Sequence, residues 1–70
     1  MIEVNVNGSP LQVPQGSTVA DVVARWSPAA ADGCGVAVAV REEVVSAGRW
    51  ASTPVAAGDR LEVVQAVAGG

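Results

Sequence analysis

A strictly alternating segment followed by an Asn-Gly pair opens the chain and constrains its fold strongly. In MIEVNVN, residues 1–7, apolar and polar side chains alternate, which predicts a β-strand with one buried face. Asn7-Gly8 is the strongest short signal for a hairpin, because both residues tolerate positive φ. A second strand is predicted through residues 11–13 and ends at Pro14. The chain is therefore expected to begin with a β-hairpin.

The next segment, QGSTVADVVARW, changes from a period of two to a helical period. Apolar residues recur at i, i+3, i+4 and i+7 from Val19 to Trp26, which places them on one face of a helix. Thr18 and Asp21 match the capping box, in which each side chain satisfies a backbone N–H at the helix start. The proline and glycines of residues 27–35 end this helix.

The second half of the chain predicts three more strands, at residues 36–40, 44–45 and 60–67. Residues 46–59 are predicted to be irregular, with one short helical turn. The order β-β-α-β-β-β predicts a two-layer α+β fold whose first and last strands pair in parallel. That order resembles the ubiquitin-like β-grasp, a mixed sheet of four to five strands with one main helix packed across one face.

Size and charge limit the class of protein. The chain has 70 residues, half of them hydrophobic, and is too apolar to be disordered. We expect one domain over residues 1–66 and a flexible C-terminal tail over residues 67–70. The net charge of −3, with four isolated arginines as the basic residues, argues against nucleic acid. We further predict a cytoplasmic protein that is monomeric when free and does not bind membranes, since no apolar run approaches a membrane span.

The residue types present argue against catalysis by this chain. The sequence has no His and no Tyr, and its one cysteine, Cys34, has no imidazole to activate it. A His/Cys metal site and a Ser-His or Cys-His nucleophile pair are therefore excluded. We predict no catalytic side chain, no metal and no bound cofactor, and we interpret Cys34 as an incidental loop thiol.

Several blocks together resemble the thiamine-biosynthesis sulfur carrier family, ThiS, a branch of the ubiquitin-like β-grasp proteins. The resemblance covers the whole chain, in the order of the family: VNG at 6–8, TVADVV at 18–23, VAVAV at 36–40, VV at 44–45, Trp50, and GDRLEVVQAVAGG at 58–70. Family members commonly have an Asn in the 41–42 region, where this chain has Arg41-Glu42. That departure concerns a loop and leaves the terminal Gly-Gly unchanged.

The resemblance implies a function for the C-terminus. The carboxylate of Gly70 would be adenylated by a ubiquitin-activating-type enzyme that uses ATP, and then converted to a thiocarboxylate. A thiazole synthase would receive the sulfur for the thiazole ring of thiamine, so the chain would be a protein co-substrate. Gly69 has no Cβ and passes where other residues would clash. Val67 and Ala68 are expected to join this end to the last strand.

Strand parity predicts a docking surface on the sheet. If the helix covers the face that carries Ile2, Val4, Val38, Leu61 and Val63, the opposite face presents small apolar residues. These residues are Ala37, Ala39, Val64 and Ala66. An apolar surface without a covering layer is typical of an interaction site. We predict that the adenylating enzyme docks there.

Two alternatives use the same fold. A thiocarboxylate carrier for molybdopterin or cysteine biosynthesis would share the chemistry and differ in the sulfur acceptor. A β-grasp interaction module would bind its partner non-covalently and would not need a modified tail.

Overall fold

The computed structural model describes residues 1–28 and 35–65. Cys34, Ala66 and the C-terminal tail therefore lie outside the described residues. Along the described chain the elements follow in this order: β1 (Ile2–Val6), β2 (Ser9–Val13), α1 (Val19–Trp26), β3 (Val36–Val40), β4 (Glu43–Val45), a 3₁₀ helix (Ala47–Ser52) and β5 (Arg60–Gln65).

The predicted first hairpin is confirmed. β1 and β2 are antiparallel, with Ile2 opposite Val13 and Val6 opposite Ser9. Asn7 and Gly8 connect them with φ values of 52° and 85°, and a two-residue hairpin turn of this hand needs both to be positive. The turn chemistry and the alternation of the flanking strands therefore agree.

The predicted helix and its cap are also confirmed. The Thr18 hydroxyl accepts from the backbone N–H of Asp21 at 3.4 Å, and the Thr18 N–H donates to Asp21 Oδ2 at 2.9 Å. At the other end, the N–H of Ser27 donates to the carbonyl of Val23 at 2.8 Å. Both ends of α1 thus have partners for backbone groups that a short helix would otherwise leave unpaired.

The five strands form one mixed sheet in the order β2-β1-β5-β3-β4. β5 lies in the centre, parallel to β1 and antiparallel to β3. The predicted α+β fold, the parallel pairing of the first and last strands and the helix on one face are therefore confirmed. The irregular segment contains the expected helical turn as the 3₁₀ helix, and Trp50 from this turn donates its indole N–H to the carbonyl of Val45 at 2.9 Å.

The core lies between α1 and the inner face of the sheet and consists almost entirely of valine. Its buried members are Val4, Val6, Val13, Val19, Val22, Val23, Val38, Val40, Trp50, Val55, Leu61 and Val63. Ile2 and Trp26 are partly buried and pack against it. The assignment of faces by strand parity is therefore confirmed for the described strands.

The turn between β3 and β4 has an unfavourable backbone conformation. Arg41 and Glu42 have φ values of 50° and 69°, in the left-handed region that residues with a Cβ rarely adopt. Tertiary contacts stabilise it: Arg41 Nη1 donates to Asp59 Oδ2 at 2.8 Å, and the Arg41 N–H donates to the carbonyl of Arg60 at 3.1 Å. The largely buried Asp59 carboxylate also accepts from the N–H of Ala56 at 2.7 Å. These contacts compensate for a turn that its own residues disfavour.

Replacing Glu42 by glycine is expected to stabilise the protein. A left-handed residue with a Cβ costs about 1–2 kcal/mol, whereas glycine adds about 0.5–1 kcal/mol in chain entropy. We therefore expect Glu42→Gly to raise the unfolding temperature by about 2–6 °C in thermal unfolding followed by circular dichroism. Glu43→Gly, in the extended backbone of β4, is the control and should lower it. A lower unfolding temperature for Glu42→Gly would contradict the inference that the left-handed backbone of Glu42 costs stability.

Candidate functional site

The face of the sheet opposite α1, here the outer face, carries a small apolar surface. The strand register places Ala37 of β3 opposite Val64 of β5, and Ala39 of β3 opposite Val44 of β4. The side chain of Val64 is 63% exposed and that of Val44 is 79% exposed, so both are accessible to a partner. We call Ala37, Ala39, Val44 and Val64 the outer patch. Val64 and Val44 lie on opposite sides of β3, and Ala37 and Ala39 connect them into one apolar surface, which is typical of an interaction site.

The sequence predicted most of this surface. Ala37, Ala39 and Val64 come together on the outer face as expected, whereas Ala66 lies outside the described residues. Val44 was missed. The signal for it was the short connection after β3: a two-residue turn at 41–42 places Val44 across from Ala39, on the outer face.

Charged side chains adjoin the outer patch at one end, and one of them, Glu62, lies directly opposite Ala39 of the patch. Arg60 and Glu62 lie on the outer face of β5, before Val64, and Arg60 is opposite Asn5 of β1. Arg41 and Glu42 follow β3 at the same end. Protein interfaces commonly combine an apolar centre with a polar rim of this kind. The outer face therefore has the composition of a docking surface with a charged border on one side.

The outer patch lies at the end of β5 that leads to the C-terminus. The strand runs from Arg60 to Gln65, with Val64 next to last, and residues 66–70 follow it. The predicted reactive residue Gly70 and the predicted linking residues Val67, Ala68 and Gly69 lie outside the described residues. The described part of the chain nearest to them in sequence is the end of β5, which lies beside the outer patch.

The described residues, 1–28 and 35–65, contain neither a cluster of metal-ligand side chains nor a membrane-spanning helix. In that part of the chain no three His, Cys, Asp or Glu side chains are grouped so that they could bind a metal ion. No helix in it has the length and apolar character needed to cross a membrane.

Comparison with known proteins decides the family. The sequence profile of the ThiS family matches residues 2–70. The chain belongs to the ThiS family. A crystal structure of the thiamine biosynthesis protein ThiS from Geobacter metallireducens superposes with a TM-score of 0.77 at 27% identity, over 99% of this chain and 100% of that one. Among curated protein sequences, none matches this chain significantly.

ThiS family proteins are small sulfur carriers of thiamine biosynthesis rather than enzymes, and the family implies partner enzymes in that pathway. The resemblance of the sequence to the ThiS family and the predicted ubiquitin-like β-grasp fold are thereby confirmed. The roles of individual residues on the outer face and in the C-terminal tail remain predictions.

Proposed function

We propose that this ThiS family member carries sulfur as a thiocarboxylate on Gly70. A ubiquitin-activating-type enzyme adenylates the Gly70 carboxylate with ATP, and a thiazole synthase accepts the sulfur for the thiazole ring of thiamine. The chain supplies the reacting carboxylate and the docking surface. The partner supplies ATP and the catalytic groups, so this chain needs no bound cofactor of its own.

The chemistry proceeds in two displacements. One oxygen of the Gly70 carboxylate attacks the α-phosphorus of ATP, and pyrophosphate leaves, which produces an acyl-adenylate. A hydrosulfide-type nucleophile then attacks the acyl carbon, so a C–S bond forms and the C–O bond to AMP breaks. The partner must exclude water at this stage, because water would attack the same carbon and regenerate the carboxylate.

The observation that carries the proposal is the position of the outer patch at the exit of β5. A partner bound over Val64 would lie directly beside the chain that leads to Gly70. The six residues 65–70 span at most about 22 Å when fully extended, which limits the distance from the patch to the adenylation site. Gly69 and Gly70 present no Cβ, so this last part fits a channel too narrow for other residues.

We assign the docking of the adenylating enzyme to the outer patch. Its four side chains are apolar, and Val44 and Val64 are, with Met1, the exposed large apolar residues in the part of the chain that the structure describes. The charged residues at one end would set the orientation of the partner, because charge complementarity chiefly determines specificity and association rate. A cytoplasmic location, where ATP is available, stays a prediction.

Intact mass spectrometry tests the proposed function. The chain is incubated with ATP, its adenylating enzyme and sulfide, and we expect a gain of about 16 Da, which is one oxygen replaced by one sulfur. Reactions without ATP are the control and must leave the mass unchanged. Failure to gain this mass with an enzyme that modifies another ThiS protein under the same conditions would refute the proposal.

A further inference from the structure

The side chain of Asn7 pairs with the backbone of the C-terminal strand as a peptide group would. Asn7 Nδ2 donates to the carbonyl of Val63 at 3.0 Å, and the N–H of Val63 donates to Asn7 Oδ1 at 2.8 Å. One carboxamide thus satisfies both backbone groups of one residue on β5. The two residues are 56 positions apart in the sequence, so this pair is a tertiary contact between the two ends of the domain.

The pair continues the parallel ladder beyond the end of β1. The N–H of Asn5 donates to the carbonyl of Asp59 at 2.8 Å, and the N–H of Asn7 donates to that of Leu61 at 2.9 Å. The next position of this ladder on β5 is Val63, but the chain turns away toward β2 after Asn7. The Asn7 carboxamide occupies the place that the following peptide of an extended β1 would take.

The hairpin turn alone does not require these two hydrogen bonds. Glycine and aspartate also tolerate the positive φ of Asn7, and neither could make both bonds. Glycine has no side-chain polar group, and an ionised aspartate accepts but cannot donate. The turn therefore does not account for the carboxamide at position 7, whereas the two hydrogen bonds to Val63 do.

Val63 is the last buried residue of β5 in the described chain. On its other side it pairs with Val38 of β3, so its backbone has neighbours on both edges. Val64 and Gln65, which follow it, are exposed. The Asn7–Val63 pair is thus the last hydrogen-bonded position of β5 on the β1 side in the described chain, whereas Val64 and Gln65 pair with β3 alone.

We propose that Asn7 is a positioning residue for the sulfur-carrying end of the chain, an inference that rests on the proposed function. By fixing Val63 on the β1 side, it holds in place the end of β5, where Val64 and Gln65 pair with β3, and thereby the strand end from which the chain continues toward Gly70. Without it, the end of β5 can separate from β1, and the partner must restrict that additional freedom on binding. Restricting the backbone of one residue corresponds to roughly a 5- to 30-fold change in an equilibrium constant.

The test compares two variants of the full chain with the wild type. Asn7→Gly keeps the turn and removes the carboxamide, and Asn7→Asp keeps the size and one acceptor but places a carboxylate against the Val63 carbonyl. We expect Asn7→Gly to accelerate hydrogen exchange of the Val63 amide relative to the amide of Val38, and Asn7→Asp to accelerate it less, because its carboxylate can still accept from the Val63 N–H. With the adenylating enzyme, Asn7→Gly should raise KM for the chain about 5- to 30-fold and leave kcat nearly unchanged.

Ile2→Val is the control for a general loss of stability. It removes one methyl group from a partly buried position of β1, lowers stability by about 0.5–1.5 kcal/mol, and should leave KM unchanged. The inference would be overturned if the Val63 amide of Asn7→Gly exchanged at the wild-type rate, or if it exchanged faster while KM stayed unchanged. An equal rise of KM in Ile2→Val would also overturn it. If the wild type itself is never adenylated, the proposed function fails and the positioning role fails with it, while Val63 exchange still reports on the contact.

Discussion

Deletion of Gly70 is expected to abolish thiocarboxylate formation while leaving the fold intact. The deletion moves the terminal carboxylate back by one residue, about 3.3–3.6 Å along an extended chain. A misplacement of about 1 Å at a reacting centre can already cost about 100-fold in rate. We therefore expect no gain of sulfur within the time in which the wild type reacts completely, measured by intact mass spectrometry with ATP, the adenylating enzyme and sulfide.

The truncated chain must also remain folded for this result to count. The described strands end at Gln65, so we expect the circular dichroism spectrum and the unfolding temperature of the wild type. A truncated chain that gains sulfur at the wild-type rate would contradict the role of Gly70. The same variant separates the alternatives, because a non-covalent interaction module would keep its whole function without Gly70.

Val64→Asp is expected to weaken binding to the adenylating enzyme at least about tenfold. Removing a buried valine contact loses about 1.5–3 kcal/mol, and 1.4 kcal/mol corresponds to a factor of ten in affinity. An unpaired carboxylate in an apolar interface adds a desolvation cost. The wild-type side chain is 63% exposed, so the fold should tolerate the change. Titration calorimetry with the adenylating enzyme measures the dissociation constant.

Gln15→Asp is the matched control for this variant. It adds the same single charge at an exposed position in the connection between β2 and α1, away from the outer face. The two variants therefore have equal net charge, and a general electrostatic effect would weaken both equally. Equal affinity of folded Val64→Asp and wild type would place the docking surface elsewhere.

The elements that the sequence predicted best are those specified by neighbouring residues. Asn7-Gly8 determines the first hairpin through backbone geometry alone, and Thr18 with Asp21 determines the start of α1 through two local hydrogen bonds. The inner and outer faces followed from the period-two alternation. The parallel pairing of β5 with β1 was predicted from the order of elements and the handedness of crossovers, whereas its central position between β1 and β3 was not, since no local signal specifies which strands are neighbours.

The features that the sequence did not predict depend on residues far apart in the chain. The Arg41–Asp59 ion pair joins positions 18 apart and stabilises a turn whose residues would not suggest that conformation. The Asn7–Val63 pair joins positions 56 apart, and the turn signal at Asn7 concealed it because the turn already accounts for an asparagine there. Val44 could be assigned to the outer face only once the turn between β3 and β4 was known to have two residues.

The central position of β5 has a consequence for how the protein is made. β1–β2 and β3–β4 are hairpins that do not pair with one another, and β5 is the strand that connects them into one sheet. The contacts of Asn5 and Val6 with Arg60 and Leu61 can form only after residue 61 has left the ribosome. A chain terminated before β5 cannot complete the sheet and stays available to proteases. Complete folding thus requires that synthesis has continued through β5, the strand that leads to residues 66–70.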